Sequence, residues 1–208
     1  MDFNDKKLVY ELRKQLRIAN EALENKLVKE NQSNWPSHNN EGSKLKDIYD
    51  LLSRNDTEKA LNLIYSLNDY DISGEKSYLE GICYLKLKNY YKSIICLDNA
   101  RKYNFVTPYL EHNQALAYIG IGNDEKSIIH FDMALKLLPS FSECRYNYAL
   151  FLLGKGRTLQ AETHFILTLI HQINYFKSSF ELGNIYRKDN KLDKAISSYE
   201  LCLRYNPR

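Results

Sequence analysis

Histidine and cysteine side chains are the groups in this sequence most able to bind a metal ion or to act in catalysis. The histidines show neither His-Glu-x-x-His nor His-x-x-x-His spacing, and no cysteine stands at ligand distance from them along a helix. They are His38, His112, His130, His164 and His171. His130 and His164 are thirty-four positions apart, which indicates a surface shared by two equivalent helices and not a pair of ligands. The sequence therefore predicts no metal, no cofactor and no enzyme activity.

Two short glycine pairs look like fragments of phosphate-binding loops. The pair Gly120-x-Gly122 precedes the pair Gly154-x-Gly156 by thirty-four positions, as His130 precedes His164. Because each pair ends a predicted helix, we interpret both as turns. Seventeen tyrosines could stack on bases, but 29 basic against 26 acidic residues leave a net charge of only +3, spread evenly along the chain. Because no basic groove accompanies the aromatic residues, no nucleic-acid partner is predicted.

The cysteines and the N-terminus indicate the cellular compartment of the protein. Cys83, Cys96, Cys144 and Cys202 include no Cys-x-x-Cys pair, which favours free thiols in a reducing compartment. No run of 18 apolar residues is present, and the opening Met-Asp-Phe-Asn-Asp lacks the basic start and apolar stretch of a signal peptide. We therefore predict an intracellular, cytoplasmic protein without membrane insertion.

The elements that must position any site repeat every thirty-four positions. Small residues recur at the eighth place of each copy: Gly81, Ala115, Ala149 and Gly183. They recur again at the twentieth place: Ser93, Ser127, Ala161 and Ala195. A large residue follows at the twenty-fourth place: Leu97, Phe131, Phe165 and Tyr199. The twenty-seventh place carries Ala100, Ala134, Thr168 and Cys202. Such a regular recurrence indicates four copies of one structural unit.

Each copy is predicted to be a helical hairpin, since helices cross closely only where a side chain is missing and a large neighbour fills the space beside the crossing. The first helices are predicted over 75–87, 108–121, 142–155 and 176–188. The second helices are predicted over 90–103, 124–138, 158–171 and 192–205. Thr107-Pro108 is a good helix start and Gly122-Asn123 a good stop. A hairpin of this size cannot bury its apolar face alone, so the copies must stack into an all-α solenoid.

This pattern resembles the tetratricopeptide repeat (TPR) family, whose fold is a right-handed α-solenoid of helix-turn-helix hairpins. The last copy matches the family's leucine, glycine, tyrosine, alanine, aromatic and proline with Leu182, Gly183, Tyr186, Ala195, Tyr199 and Pro207. The second copy matches it with Ala115, Tyr118, Phe131, Ala134 and Pro139. The family's early tryptophan is replaced by Ser77, Glu111, Arg145 and Ser179. Its closing proline is replaced by Phe105 and Ile173 in copies one and three. The copies span 74–107, 108–141, 142–175 and 176–208.

Three further segments precede these copies. Residues 1–31 are predicted to form an amphipathic helix that packs on the first hairpin, on a partner subunit or on a second copy of the chain. Its apolar residues recur at spacings of three or four: Leu8, Leu12, Leu16, Ala19, Leu23 and Leu27. Residues 32–42 are a polar linker that contains Trp35 and Pro36. Residues 43–73 are predicted to be a degenerate first repeat, in which Ala60 precedes Ser93 by one position less than the full period.

In the TPR family the first helix of each hairpin lines a concave groove that holds extended peptides or partner helices. The resemblance assigns the second, fifth, sixth, ninth and twelfth places of each copy to that groove, which in this chain is largely apolar and aromatic. The predicted contact residues are Tyr78, Ile82, Tyr109, His112, Asn113, Leu116, Tyr146, Asn147, Leu150, Lys177, Phe180 and Asn184. The twelfth places add Leu85, Ile119, Leu153 and Arg187 to the same surface.

Asn113 and Asn147 occupy the sixth place of successive copies. A side-chain amide can both donate to and accept from a peptide backbone, and similar asparagines in related solenoids grip bound peptides. A ladder of two asparagines is therefore predicted, with two merely exposed polar residues as the alternative. Family members that bind acidic C-terminal tails carry lysine and asparagine on the first groove helix. This chain has Tyr78 and Ile82 there, so such a clamp is not expected.

Together these observations predict a non-enzymatic scaffold or adaptor that binds an extended, largely apolar segment of another protein. A co-chaperone similar to the cytoplasmic secretion chaperones of bacteria is one form of it. A regulatory TPR domain of a larger, enzymatic protein is an alternative, because no helix follows the last hairpin to cover it. A homo-oligomer formed through the N-terminal helix or the open C-terminal end is a third possibility.

Overall fold

The structure is a computed structural model that describes residues 41–67 and 73–206, in which ten α-helices and no strands are found. The first five helices are α1 (Glu41–Ser53), α2 (Thr57–Tyr65), α3 (Ser73–Lys86), α4 (Tyr90–Lys102) and α5 (Pro108–Gly120). The others are α6 (Asp124–Leu137), α7 (Ser142–Gly154), α8 (Thr158–His171), α9 (Phe176–Lys188) and α10 (Leu192–Tyr205). The predicted N-terminal helix, Trp35 and Pro207 lie outside the described residues.

The all-α solenoid class predicted from the repeat period is confirmed. From α3 to α10, each helix begins and ends within two residues of its predicted bounds. Helix α1 begins at Glu41, so the last two residues of the predicted linker are helical. Thr107 caps α5 as expected, because its Oγ1 accepts a hydrogen bond from the backbone N–H of Leu110 at 3.1 Å.

The small residues stand where the two helices of a hairpin cross. In the first copy the Ser93 hydroxyl donates to the carbonyl oxygen of Gly81 at 2.8 Å, and a Cβ atom on Gly81 would lie only 2.7 Å from the Leu97 side chain. In the last copy a Cβ atom on Gly183 would lie 2.4 Å from the Tyr199 ring. The missing side chain at the eighth place therefore makes room for the large residue at the twenty-fourth.

The turn between the helices of each hairpin uses a left-handed residue at the same place of every copy. Lys88, Gly122, Gly156 and Asn190 have φ of +58°, +76°, +75° and +58°. Asn55, between α1 and α2, has φ of +63°. Asn55 precedes Lys88 by the same number of positions as Ala60 precedes Ser93, so the α1–α2 hairpin has the same turn as the regular copies.

The described residues form two compact units, one up to Leu137 and one from Leu138. In the first unit, α1 and α2 share a core with α3 and α4 that contains Ile48, Ile64, Leu79 and Leu97. Hydrogen bonds join these hairpins at the surface: Tyr49 donates to Glu75 at 2.9 Å, and Lys86 donates to Asn55 at 3.3 Å.

A buried ion pair links α4, α5 and α6 in the first unit. Glu111, at the place of the family's early tryptophan, is fully buried. Arg101 Nη2 donates to its Oε2 at 3.0 Å, and Arg101 Nη1 forms an ion pair with its Oε1 at 2.8 Å without hydrogen-bond geometry. His130 Nδ1 lies 2.8 Å from Glu111 Oε2. Burial disfavours the charged carboxylate, but the bonds from His130 and Arg101 outweigh it, so the pKa of Glu111 lies below its ordinary value.

The predicted surface role of His130 and His164 is wrong, because both side chains face the interior of their hairpins. His130 stacks on Tyr118 with ring centroids 5.2 Å apart, in addition to its contact with Glu111. In the second unit His164 lies 4.6 Å from the Tyr148 ring, near the buried Arg145. Arg145 donates from Nη2 to the Pro139 carbonyl at 2.6 Å.

Candidate functional site

The predicted contact residues of the first unit divide into buried and exposed members. Tyr78 is only 8 % exposed, and its ring lies 5.1 Å from that of Phe105. Burial raises the pKa of Tyr78, so its hydroxyl stays neutral and accepts a hydrogen bond from Asn113 Nδ2 at 3.3 Å. Tyr78 therefore supports the surface and orients the Asn113 amide.

His112 is also a packing residue. It is 5 % exposed, its ring lies 6.2 Å from Phe131, and burial lowers its pKa to about 4. The imidazole is therefore neutral near pH 7. Ile82 and Leu116 are half-buried, and Ile82 packs against the core of this unit. Tyr109, by contrast, is 52 % exposed at the start of α5.

In the second unit the first helices present a mixed surface. Tyr146 is half-buried, with its ring 5.7 Å from Phe165 and 5.4 Å from Tyr175. Asn147 beside it is half-buried, and Leu150, one turn further along α7, is 36 % exposed. Burial, with a smaller contribution from Glu181, raises the pKa of Tyr146, so this side chain also acts as a neutral aromatic group.

Helix α9 contributes the most exposed aromatic ring of the predicted set within this unit. Phe180 is 48 % exposed, and one side of its ring faces Tyr199 at 6.0 Å. The Tyr199 hydroxyl donates to Asn184 Oδ1 at 2.9 Å, which holds this amide in place. Lys177, one turn before Phe180, lies beside it at the edge of the same surface.

A cavity of about 310 Å³ lies beside Phe180. Its lining combines predicted contact residues with residues of α9 and α10 that were not predicted. The lining residues are Tyr146, Phe176, Lys177, Phe180, Glu181, Cys202, Leu203 and Asn206. The sequence interpretation missed Cys202, Leu203 and Asn206 because it searched only the first helix of each hairpin. The sequence signal that could have revealed this part of the lining is Leu203, an apolar residue near the polar end of α10.

The described ranges contain neither a metal-binding cluster nor a membrane-spanning helix. Within 41–67 and 73–206, no group of three His, Cys, Asp or Glu side chains could hold a metal ion. None of the helices described has the length and hydrophobicity to cross a membrane. The four cysteines form no disulfide; Cys83 and Cys144 are buried, and burial raises the pKa of the Cys83 thiol to about 11.

Comparison with known proteins accounts for this architecture. Residues 176–208 match the family model of the tetratricopeptide repeat. The solved structure of YrrB, "a TPR protein with an unusual peptide-binding site", has 15 % identity and a TM-score of 0.58, covering 79 % of this chain and 85 % of that one. The last hairpin matches the tetratricopeptide repeat, and the described chain has the fold of TPR proteins.

Two structures of MamA share the same TPR fold. One has 14 % identity and a TM-score of 0.65, with 76 % of this chain and 93 % of MamA covered. The other, MamA from Desulfovibrio magneticus RS-1, has 13 % identity and a TM-score of 0.64, with 80 % and 94 % covered. No curated protein matches the chain in sequence. These likenesses show that the described chain has the fold of these solved structures.

Proposed function

We propose that this protein binds an extended, largely apolar segment of another protein through the first helices of its hairpins. The observation that carries the proposal is the exposure of large apolar side chains at the predicted contact places of three hairpins: Tyr109, Leu150 and Phe180. Each is attached to a regular helix whose other face is buried, so its position is fixed before a partner arrives. Burying such a side chain contributes about 1.5–3 kcal/mol.

The polar members of the set suit a peptide backbone. Asn113 uses its Nδ2 to donate to Tyr78, and no described residue donates to its Oδ1. This oxygen is therefore available to accept a backbone N–H from a bound segment. Because Tyr78 already holds the amide, little side-chain entropy is lost when the bond forms.

The charge of the surface favours an apolar partner over a charged one. Of the residues predicted to contact a partner, Lys177 and Arg187 are basic, burial keeps His112 neutral, and the others are apolar, aromatic or amide side chains. YrrB, which has a similar fold, is described as having a peptide-binding site. Both points support a scaffold of the adaptor or co-chaperone kind that binds an apolar segment of another protein.

The first experiment tests the asparagines on an identified partner. The intact chain captures proteins from its own cell, mass spectrometry identifies them, and a synthetic segment of the captured protein is then titrated against the purified chain by calorimetry. Changing Asn113→Ala together with Asn147→Ala is expected to raise Kd about tenfold or more, because two hydrogen bonds to a backbone are lost, each worth about 0.5–1.5 kcal/mol.

Tyr78→Phe is the matched control, because it removes the hydrogen bond to Asn113 but keeps the amide. Its Kd should stay within about threefold of the wild-type value, since only the preorganisation of Asn113 is lost. If the double variant binds as tightly as the wild-type chain, the asparagine ladder is wrong. If Tyr109→Ala and Phe180→Ala also leave the affinity unchanged, the proposed surface is wrong as a whole.

A further inference from the structure

Helix α3 carries a carboxyl group beside the predicted contact residues of the first unit. Glu75 is at the second place of copy one, which Tyr109 occupies in copy two. Its Oε1 accepts a hydrogen bond from the Tyr49 hydroxyl of α1 at 2.9 Å. Burial, and then the nearby Tyr109 and Glu75, raise the pKa of Tyr78, whose hydroxyl is bonded to Asn113. Glu75 therefore lies next to the surface through which the proposed function binds a partner segment.

The Glu75 carboxyl group has no cation beside it in the described part of the chain. It is half-buried, and burial raises its pKa above the ordinary value, while the hydrogen bond from Tyr49 offsets only part of this rise. No lysine, arginine or histidine of residues 41–67 and 73–206 contributes to that compensation. Its Oε2 accepts no hydrogen bond from the same residues. The carboxylate is therefore held by one neutral donor, and a cation that a partner brings would stabilise it.

Tyr49 supplies an aromatic surface beside this carboxylate. The ring is 41 % exposed, and the bond from its hydroxyl to Glu75 fixes its position. A lysine or arginine can lay its methylene stem along such a ring and place its charged end close to both the ring and the carboxylate. An apolar side chain can use only the ring. On α1 the exposed Lys46 and Asp50 have opposite charges, so they favour neither an acidic nor a basic partner.

We propose that Glu75 and Tyr49 bind one lysine or arginine side chain of the partner segment. This inference rests on the proposed function and narrows its partner to a largely apolar segment with a basic residue where it passes α1 and α3. A purely structural role for Glu75 makes a different prediction. An acidic residue in the first turn of a helix stabilises that helix, so its loss would lower stability and leave the choice of peptide unchanged.

The first experiment needs no known partner. A phage library of random twelve-residue peptides is selected against the full chain, and in parallel against Glu75→Gln, in about 0.15 M salt, which screens attraction between distant charges. Peptides selected by the wild-type chain should be largely apolar, with Lys or Arg enriched at one position. The enrichment should disappear with Glu75→Gln. Apolar peptides without an enriched basic position in the wild-type selection would overturn the inference.

Glu125→Gln is the matched control. Glu125 is also an acidic residue in the first turn of its helix, and it is exposed on α6, a second helix outside the predicted contact surface. This variant should select the same basic peptides as the wild-type chain. Equal loss of basic peptides in both variants would mean that only the net charge matters, and the inference would fail.

A titration measures the contact directly. One selected peptide is compared with its analogue in which norleucine, a neutral side chain with a similar apolar stem, replaces the basic residue. The replacement should raise Kd about fivefold for the wild-type chain and less than about twofold for Glu75→Gln. Glutamine keeps an oxygen that can accept from Tyr49, so the melting temperature should stay close to that of the wild-type chain. An equal effect of norleucine on both proteins would contradict the pairing of the basic residue with Glu75.

The results also separate this inference from the proposed function. If the selected peptides carry no basic residue but lose affinity for Tyr109→Ala, the assignment of Glu75 fails and the proposed function stands. If basic peptides depend on Glu75 while changes of Asn113, Asn147, Tyr109 and Phe180 leave their affinity unchanged, the proposed surface fails and the assignment of Glu75 stands. If the wild-type chain enriches no peptide, both fail.

Discussion

At the scale of single residues, the fourth place of each copy shows how this chain replaces a large aromatic side chain with polar groups. In copy two the substitute is Glu111, whose charge is balanced by Arg101 and His130. In copy three it is Arg145, which is buried with its Nε lacking a hydrogen-bond partner among the described residues. His164 Nδ1, nearby, is likewise buried without a partner there.

The half-buried His164 makes copy three sensitive to acid. Burial, and to a smaller extent the charge of Arg145, lowers the pKa of His164 to about 4. In the unfolded chain the pKa returns to about 6.5. The unfolded chain therefore binds more protons between these values, so the free energy of unfolding falls as the pH falls from about 6.5 to 4.

His164→Leu should reduce this dependence. The variant removes the titrating ring and its unpartnered nitrogen, so its free energy of unfolding should drop less between pH 7 and pH 5 than that of the wild-type chain, by about 1–2 kcal/mol. Urea denaturation at the two pH values measures the difference. Equal drops in the two proteins would show that the pKa of His164 is the same in the folded and the unfolded chain.

At the scale of elements, the joint between α4 and α5 depends on one buried charge. The Glu111 carboxylate is fully buried on α5, and Arg101 reaches both of its oxygens from α4. Arg101 Nη2 also donates to Gln114 Oε1, and the Gln114 amide donates to Asp98. Polar side chains of this network therefore determine which residues of successive hairpins contact each other. The TPR family has an aromatic residue at this place.

Arg101→Met is expected to destabilise the chain by about 3 kcal/mol, the lower end for a broken buried pair, because His130 still contacts Glu111. Thermal and urea denaturation measure the loss. The exposed pair of Lys59 and Asp56 on the surface of the first unit provides the control, and Lys59→Met should have little effect. Similar effects of both variants would mean that Glu111 does not depend on Arg101.

At the scale of the whole molecule, the described chain comprises two compact units. In repeat proteins stability is approximately the sum of each repeat and its contacts with neighbouring repeats. A local defect should therefore lower stability mainly in its own unit, and hydrogen exchange reports such local opening.

Ala161→Leu tests this expectation in the second unit. Ala161 is fully buried at the place where Ser93 meets Gly81 in the first copy, so an added leucine should overpack the crossing of α7 and α8 by about 1–3 kcal/mol. Amides of 142–171 should lose more protection from exchange than those of 73–102. Thr163→Leu, exposed on the same helix, is the control. A uniform loss of protection along the chain would contradict the prediction.

Much of this architecture can be predicted from residue types alone. Gly81 and Ser93 indicate a close crossing, and Gly122 indicates a turn, because these properties belong to the residue and its neighbours along the chain. Lys88 does not indicate the same left-handed turn, yet it adopts it because the flanking helices impose it. Tyr78 and His112 lie at contact places by spacing, but their burial depends on the residues that pack over them.

The period of the sequence determined the hairpins, their bounds and the all-α class. This was possible because helix propensity, small residues at crossings and turn residues are local signals, and they recur in every copy. Only the tertiary structure decided which aromatic residues are covered and which are exposed. Whether a ring such as Tyr146 or Phe180 is buried depends on a side chain brought over it from a later part of the chain. The same is true of Glu111, whose charge is acceptable in the interior only because Arg101 and His130 reach it from two other helices.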